Sequence, residues 1–102
     1  MRIFFVTGNE AKFREASLVL KEFGLDLLVD KSHRKVEIQS DSLEDIVSNA
    51  LQGICSDNVS DYYVVEDDGL FINRLNGFPG PYSSYVYKTI GLTGILKLMN
   101  GI

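Results

Sequence analysis

The sequence predicts an α/β fold, a mixed and largely parallel central sheet flanked by helices. Two observations carry that expectation. Short, continuous apolar runs at Ile3, Phe4, Phe5, Val6 and at Tyr62, Tyr63, Val64, Val65 have the composition of strands covered on both faces. Between them, apolar residues recur at helical spacing, so that strand and helix alternate along the chain, the order from which parallel sheets are built. A length of 102 residues with 45% hydrophobic content supplies one compact core, and the expected organisation is a single domain over residues 1–102.

Each element has a local reason. The first strand, Ile3 to Val6, stops at the turn Thr7, Gly8, Asn9. Asn9 is an N-cap residue, and Phe13, Ala16, Leu20 and Phe23 mark one face of the helix that follows, up to Gly24. Leu25, Leu27, Leu28 and Val29 suggest a second strand. Residues 30–40 are charged and polar, with Val36 and Ile38 alternating about Glu37, which predicts a loop leading into a short extended piece. The next helix starts at Ser42, Leu43, Glu44, Asp45, a serine-to-acid capping box, with Asp41 as the other candidate cap. Leu43, Ile46, Val47, Ala50, Leu51 and Ile54 then form its core-facing series, weakened at Gly53. A polar loop, Ser56 to Asp61, leads to the third strand, Tyr62 to Val65, and Leu70, Phe71 and Ile72 to a short fourth. The two prolines and two glycines of Asn76 to Pro81 predict a rigid, irregular loop. Ser83 or Ser84 opens a short helix, and Leu92, Ile95, Leu96 and Met99 mark a final amphipathic one before Gly101.

Composition excludes several function classes. A formal net charge of −4 argues against a broad basic face for a nucleic acid polymer, because that mode of binding neutralises many phosphates with Lys and Arg. A small polyanion is compatible with it, given local positive charge from Lys12, helix N-termini and a bound metal. No run approaches the roughly 20 apolar residues needed to cross a bilayer. Cys55 is the only cysteine, so no intrachain disulfide forms, and the N-terminus lacks the pattern of a signal peptide. A cytoplasmic location, away from membranes, is expected.

Two segments carry the chemistry. Thr7, Gly8 and Asn9, with Lys12 one turn into the helix, suit a phosphate: glycine permits close approach of the backbone, the helix N-terminus donates amides, and lysine adds a full charge. Read alone, the same residues also make an ordinary capped turn. The spacing is neither a P-loop nor a dinucleotide fingerprint. Glu66, Asp67 and Asp68 crowd three carboxylates at the end of a buried strand, where repulsion calls for a divalent cation or a proton between them; a solvated acidic turn is the plainer reading. Both segments follow the carboxyl ends of predicted strands, where open α/β sheets bind ligands. His33, in a charged loop, reads as a surface histidine without a role, and Cys55 as a half-buried thiol. Tyr82, Ser83, Ser84 and Tyr85 either line a cleft or fill the core.

Taken together, Phe5-Val-Thr-Gly-Asn-Glu-Ala-Lys12, Val36-Glu-Ile-Gln39, Val65-Glu-Asp-Asp-Gly-Leu70 and Leu75-Asn-Gly-Phe-Pro-Gly-Pro-Tyr-Ser83 resemble the inosine triphosphate pyrophosphatase family in motif, order and spacing. The resemblance runs along essentially the whole chain. It implies Mg²⁺-dependent hydrolysis, with Mn²⁺ as a possible substitute, of nonstandard purine nucleoside triphosphates such as ITP, dITP and XTP to the monophosphate and pyrophosphate. It implies further that Thr7, Gly8, Asn9 and Lys12 hold the triphosphate, that Glu37 and Asp67 bind the metal with support from Glu66, and that Asp67 accepts a proton from the attacking water while Lys12 offsets phosphate charge.

Two features depart from the family. Asp68 stands where a serine or threonine is usual, which sets an anion instead of a hydroxyl donor beside the phosphates. Family members are also about twice as long, and the chain is expected to correspond to their N-terminal half, truncated before the lobe whose Phe-Gly-Tyr-Asp-Pro-like and Ser-His-Arg elements recognise the base. Ser32, His33 and Arg34 repeat the latter tripeptide at an unrelated position. A homo-oligomer, most simply a dimer, is expected to cover the sheet edge thereby exposed. The alternative to an active enzyme is a catalytically silent domain that binds nucleotide weakly or serves in association.

Overall fold

The computed structural model describes residues 2–54 and 61–101. Cys55 and most of the loop expected at Ser56 to Asp61 lie outside them. The described chain forms two compact units, one of Met1–Ile38 with Glu44–Glu66, the other of Gln39–Leu43 with Asp67–Ile102.

The first unit is built on a parallel sheet. Strands β1 (Arg2–Phe5), β2 (Leu27–Val29) and β3 (Asp61–Val64) lie in the order β2-β1-β3, with β1 paired in parallel to both neighbours. Phe5 is opposite Val29 on one side and Val64 on the other, so all three strands end at one edge. Helix α1 (Glu10–Lys21) connects β1 to β2 and packs on β2. Asn9 is its N-cap as expected, in an extended conformation with its side chain accepting from the Lys12 amide. Gly24, at φ 73°, closes the turn after the helix. That conformation favours glycine. Helix α2 (Leu43–Gln52) stops just before Gly53 and buries Ile46 and Ala50 from the expected face. Together with Phe5, Val6 and Leu27 they are the apolar side chains this unit buries most fully.

Several expectations need correction. Phe23 is 73% exposed and falls beyond α1, so it is not part of the core face. Leu51, at the edge of the α2 stripe, is exposed as well. Asp61 belongs to β3, not to the preceding loop: it is paired with Arg2 in the ladder, and its carboxylate takes both Arg2 Nε and a terminal Arg2 nitrogen at 2.9 Å. This fork raises the Arg2 pKa further, through the hydrogen bond first and the charge of Asp61 second. It joins the two residues that the β1–β3 register places opposite each other. The piece around Glu37 forms no strand, and Val36 and Ile38 are both exposed.

The second unit holds a short antiparallel pair, β4 (Leu70–Phe71) with β5 (Pro79–Gly80), and helices α3 (Ser83–Thr89) and α4 (Gly91–Leu98). The loop expected at Asn76 to Pro81 is more ordered than its composition suggests. A 3₁₀ turn over Asn73–Leu75 ends at Asn76 in the left-handed region, at φ 55°, and the chain enters β5 through a cis Phe78–Pro79 bond. Gly69 has a definite packing reason: a Cβ there would lie 2.5 Å from the Gly80 carbonyl oxygen. Tyr85, Leu92 and Leu96 remain exposed, so the core-filling reading of Tyr85 fails, and the apolar face of α4 is only partly covered.

Candidate active site

The strand order decides where a ligand fits. From β1 the chain crosses through α1 to β2 on one side and later returns through α2 to β3 on the other, so the direction of winding reverses at β1. Loops leaving the carboxyl ends of β1 and β3 diverge at such a point and open a crevice. In this chain those loops are Thr7 to Asn9 and the segment after Val64.

The turn after β1 is organised by its own side chains. Val6 extends the ladder by donating its amide to the Val64 carbonyl at 3.0 Å. Thr7 Oγ1 accepts the Asn9 amide, and Asn9 Oδ1 the Lys12 amide, both at 3.1 Å. Gly8 is exposed, and a Cβ on it would meet no described protein atom within 4 Å. The positive end of α1 therefore faces the loop with one amide capped and with open space above the glycine.

Lys12 leaves the first turn of α1 and donates to Glu66 Oε1 at 2.6 Å, joining the phosphate-turn candidate to the acidic segment that follows β3. Both side chains are about one-third exposed, 35% and 36%, so the pair is accessible to a ligand. A second lysine, which sequence reasoning passed over, completes the group. Lys35 donates to the Glu66 backbone carbonyl and lies 3.1 Å from Glu37 Oε1, which ties Glu37 to the end of β3. The structure thus gathers Lys12, Glu37 and Glu66, with Thr7 to Asn9 at the foot of the same helix. Asp67 and Asp68 follow Glu66 along the chain but belong to the second unit, where Asp67 Oδ1 accepts the Asp68 amide at 3.0 Å.

The segment carrying Lys35 and Glu37 is anchored by residues assigned no role from sequence. Asp30, just past β2, is buried. Its Oδ1 accepts the Ser32 amide at 2.9 Å and the Ser32 hydroxyl at 2.8 Å, and its Oδ2 lies 2.8 Å from His33 Nδ1. Burial pushes the Asp30 carboxyl up, but these hydrogen bonds and His33 outweigh it and hold the group below the usual carboxylate range. His33 sits edge-on to Tyr63, which stacks on Phe4, its cross-strand partner. The expectation of a surface histidine is therefore corrected: His33 is largely enclosed and structural. An aspartate with serine two positions on is the signature of an Asx-turn, so this anchor was legible. Nothing local marked Lys35, whose acceptor at Glu66 is 31 residues away.

Among the described residues, no three His, Cys, Asp or Glu side chains come together as a metal centre. Glu66 and Glu37 are hard oxygen donors suited to Mg²⁺, but each stands against an ammonium group. As arranged they do not fit a divalent ion.

The parallel α/β sheet thus carries a capped helix N-terminus and a lysine–glutamate pair at its switch point, the place where open α/β sheets bind ligands. The chain belongs to the Ham1 family, whose model matches residues 3–102. It is 50% identical over 101 residues to the dITP/XTP pyrophosphatase of Pyrococcus horikoshii, a match covering 99% of this chain and 53% of that protein. Relatives of the same description from Methanopyrus kandleri and Ignicoccus hospitalis are 47% and 43% identical, again with 99% of this chain and 53% of theirs covered. The chain spans about half the length of these curated relatives, and the resemblance carried by the four motifs is borne out.

Proposed function

We propose that this chain carries the triphosphate-binding half of a nucleoside triphosphate pyrophosphatase acting on nonstandard purine nucleotides, dITP, XTP and ITP, and releasing the monophosphate and pyrophosphate. The observation that carries the reading is the Lys12–Glu66 pair, at 2.6 Å, across the switch point of the sheet. It places a cation beside the amino end of α1, where the turn Thr7, Gly8, Asn9 leaves room for an anion. Lys12 offsets charge on the phosphate oxygens, and Asp67 takes a proton from the water that attacks the α-phosphorus in line; no covalent intermediate is required. Asp68 adds an anion beside the substrate, so that either affinity falls or more metal is required.

The family resemblance brings Mg²⁺ or Mn²⁺ into the proposal, with Glu37, Glu66 and Asp67 as the ligands it implies. The lysine-paired Glu37 and Glu66 do not fit a divalent ion as arranged, so no step is routed through the metal. A cytoplasmic location is part of the reading, and no described helix is long and apolar enough to cross a membrane. So is a homo-oligomer, most simply a dimer, which the exposed Phe23, Leu92 and Leu96 support.

The deciding experiment is pyrophosphate release from ITP, XTP and GTP, with and without Mg²⁺. Release from ITP and XTP is expected. Binding of ITP without release would leave the catalytically silent nucleotide-binding domain, and absence of both would remove the proposal.

A further inference from the structure

Of the two lysines at the candidate site, Lys35 is the more enclosed, with its side chain 17% exposed, against 35% for Lys12. Its ammonium is held by two oxygens, the Glu66 carbonyl and Glu37 Oε1. Lys12 lies on the side-chain carboxylate of the same Glu66. Two lysine ammonium groups thus converge on one residue just past β3, one from α1 and one from the segment after β2, and both are offset by glutamates that are themselves one-third to more than half exposed, 36% for Glu66 and 58% for Glu37. Exposed carboxylates are readily rehydrated, so they release a lysine easily when a stronger anion arrives. A lysine whose stem is already packed has lost most of its rotamer freedom, and its field is less screened by water.

We propose that Lys35 is a second phosphate-binding cation of this chain, acting with Lys12 on a polyphosphate group, and that Glu66 and Glu37 hold the two ammonium groups in place until the polyphosphate takes them. This deepens the proposed function and rests on it. The pair suits a ligand with several adjacent anionic oxygens, a di- or triphosphate, better than a single carboxylate or a monophosphate, because two fixed cations need two anionic groups in one ligand to engage both.

The test is calorimetric titration of the full chain with inorganic tripolyphosphate in EDTA, which removes metal from the question. Lys35→Gln is expected to weaken binding on the order of three- to tenfold and to reduce its salt dependence, while Lys35→Arg keeps most of the affinity. Glu37→Gln is expected to shift affinity the other way, tightening binding by severalfold, because it removes the anion that competes for Lys35. That sign is not what a merely structural role of Lys35 would give. If the unmodified chain does not bind tripolyphosphate, the phosphate-binding reading of the site fails and this inference with it. If it binds, and Lys12→Gln weakens it while Lys35→Gln does not, only the role of Lys35 is overturned. Should both Lys35 variants unfold, unchanged affinity in Glu37→Gln overturns the inference alone.

Discussion

Gly8→Ala separates the phosphate reading of the first turn from the bland one, because the two predict different combinations of stability and binding. Gly8 is not in the left-handed region, and a methyl group built on it meets no described protein atom within 4 Å. The folded chain therefore accepts alanine without strain. The unfolded chain loses backbone freedom, so the variant is expected to be more stable by about 0.4–1 kcal/mol. For a domain of this size that raises Tm by about 2–8 °C. Binding moves in the opposite direction. If a phosphate lies against the turn, the methyl group occupies its closest approach and disrupts a charge-assisted hydrogen bond to the backbone, a loss of about 1.5–3 kcal/mol, or roughly ten- to a hundredfold in Kd. Thermal melting and calorimetric titration with tripolyphosphate read the two quantities on one sample. A more stable variant with unchanged affinity would refute the cradle and leave Thr7 to Asn9 as a capped turn. A less stable variant would show that the local backbone is not as unstrained as its geometry indicates.

The remaining predictions address other parts of the chain. Lys12→Ala is expected to weaken nucleotide binding, whereas Asp67→Asn is expected mainly to abolish turnover; hydrolysis by the Asp67 variant at the unmodified rate would exclude the proposed mechanism. Gly69→Ala brings a Cβ to 2.5 Å from the Gly80 carbonyl oxygen and is expected to destabilise the chain by about 1–3 kcal/mol, with a lowered urea midpoint as the readout. Asp30 releases its proton more readily in the folded state than in the unfolded chain, so its contribution is fully present above the ordinary carboxylate pKa and is lost as pH falls through the depressed one. Asp30→Asn should accordingly flatten the fall of Tm below about pH 4, and an unaltered acid profile would contradict the assignment. Mn²⁺ is expected to raise the Tm of the chain in nucleoside triphosphate above that in nucleotide alone; an unshifted Tm would remove the metal from the proposal.

The sequence by itself determined what depends on near neighbours. Asn9 caps α1 because its acceptor atom and the Lys12 amide are three residues apart, and the α2 stripe buries Ile46 and Ala50 because helical spacing turns a fixed interval into a face. Four motifs in order named the family for the same reason, since each is contiguous. The expectations that failed depended on what lies across the fold. Phe23 continued the pattern of α1 in sequence but not in space, and the alternation of Val36 and Ile38 produced no strand, since the alternation by itself supplies no pairing partner. His33 looked like any polar loop residue until Asp30 and Tyr63 enclosed it.

Only the tertiary structure decided how the charges pair. Lys12 and Glu66 are 54 residues apart, Lys35 and Glu66 31, and Arg2 and Asp61 59. Each pair meets through the placing of β3 beside β1 and the return of the chain from β2. Hydrophobic burial sets that placement through many side chains at once, so no local interval encodes it. The acids and lysines of the candidate site were legible one by one. That Glu66 holds two ammonium groups, where adjacent carboxylates alone had suggested a divalent ion, follows from strand order and register, which bring opposite charges within hydrogen-bond distance before any ligand arrives.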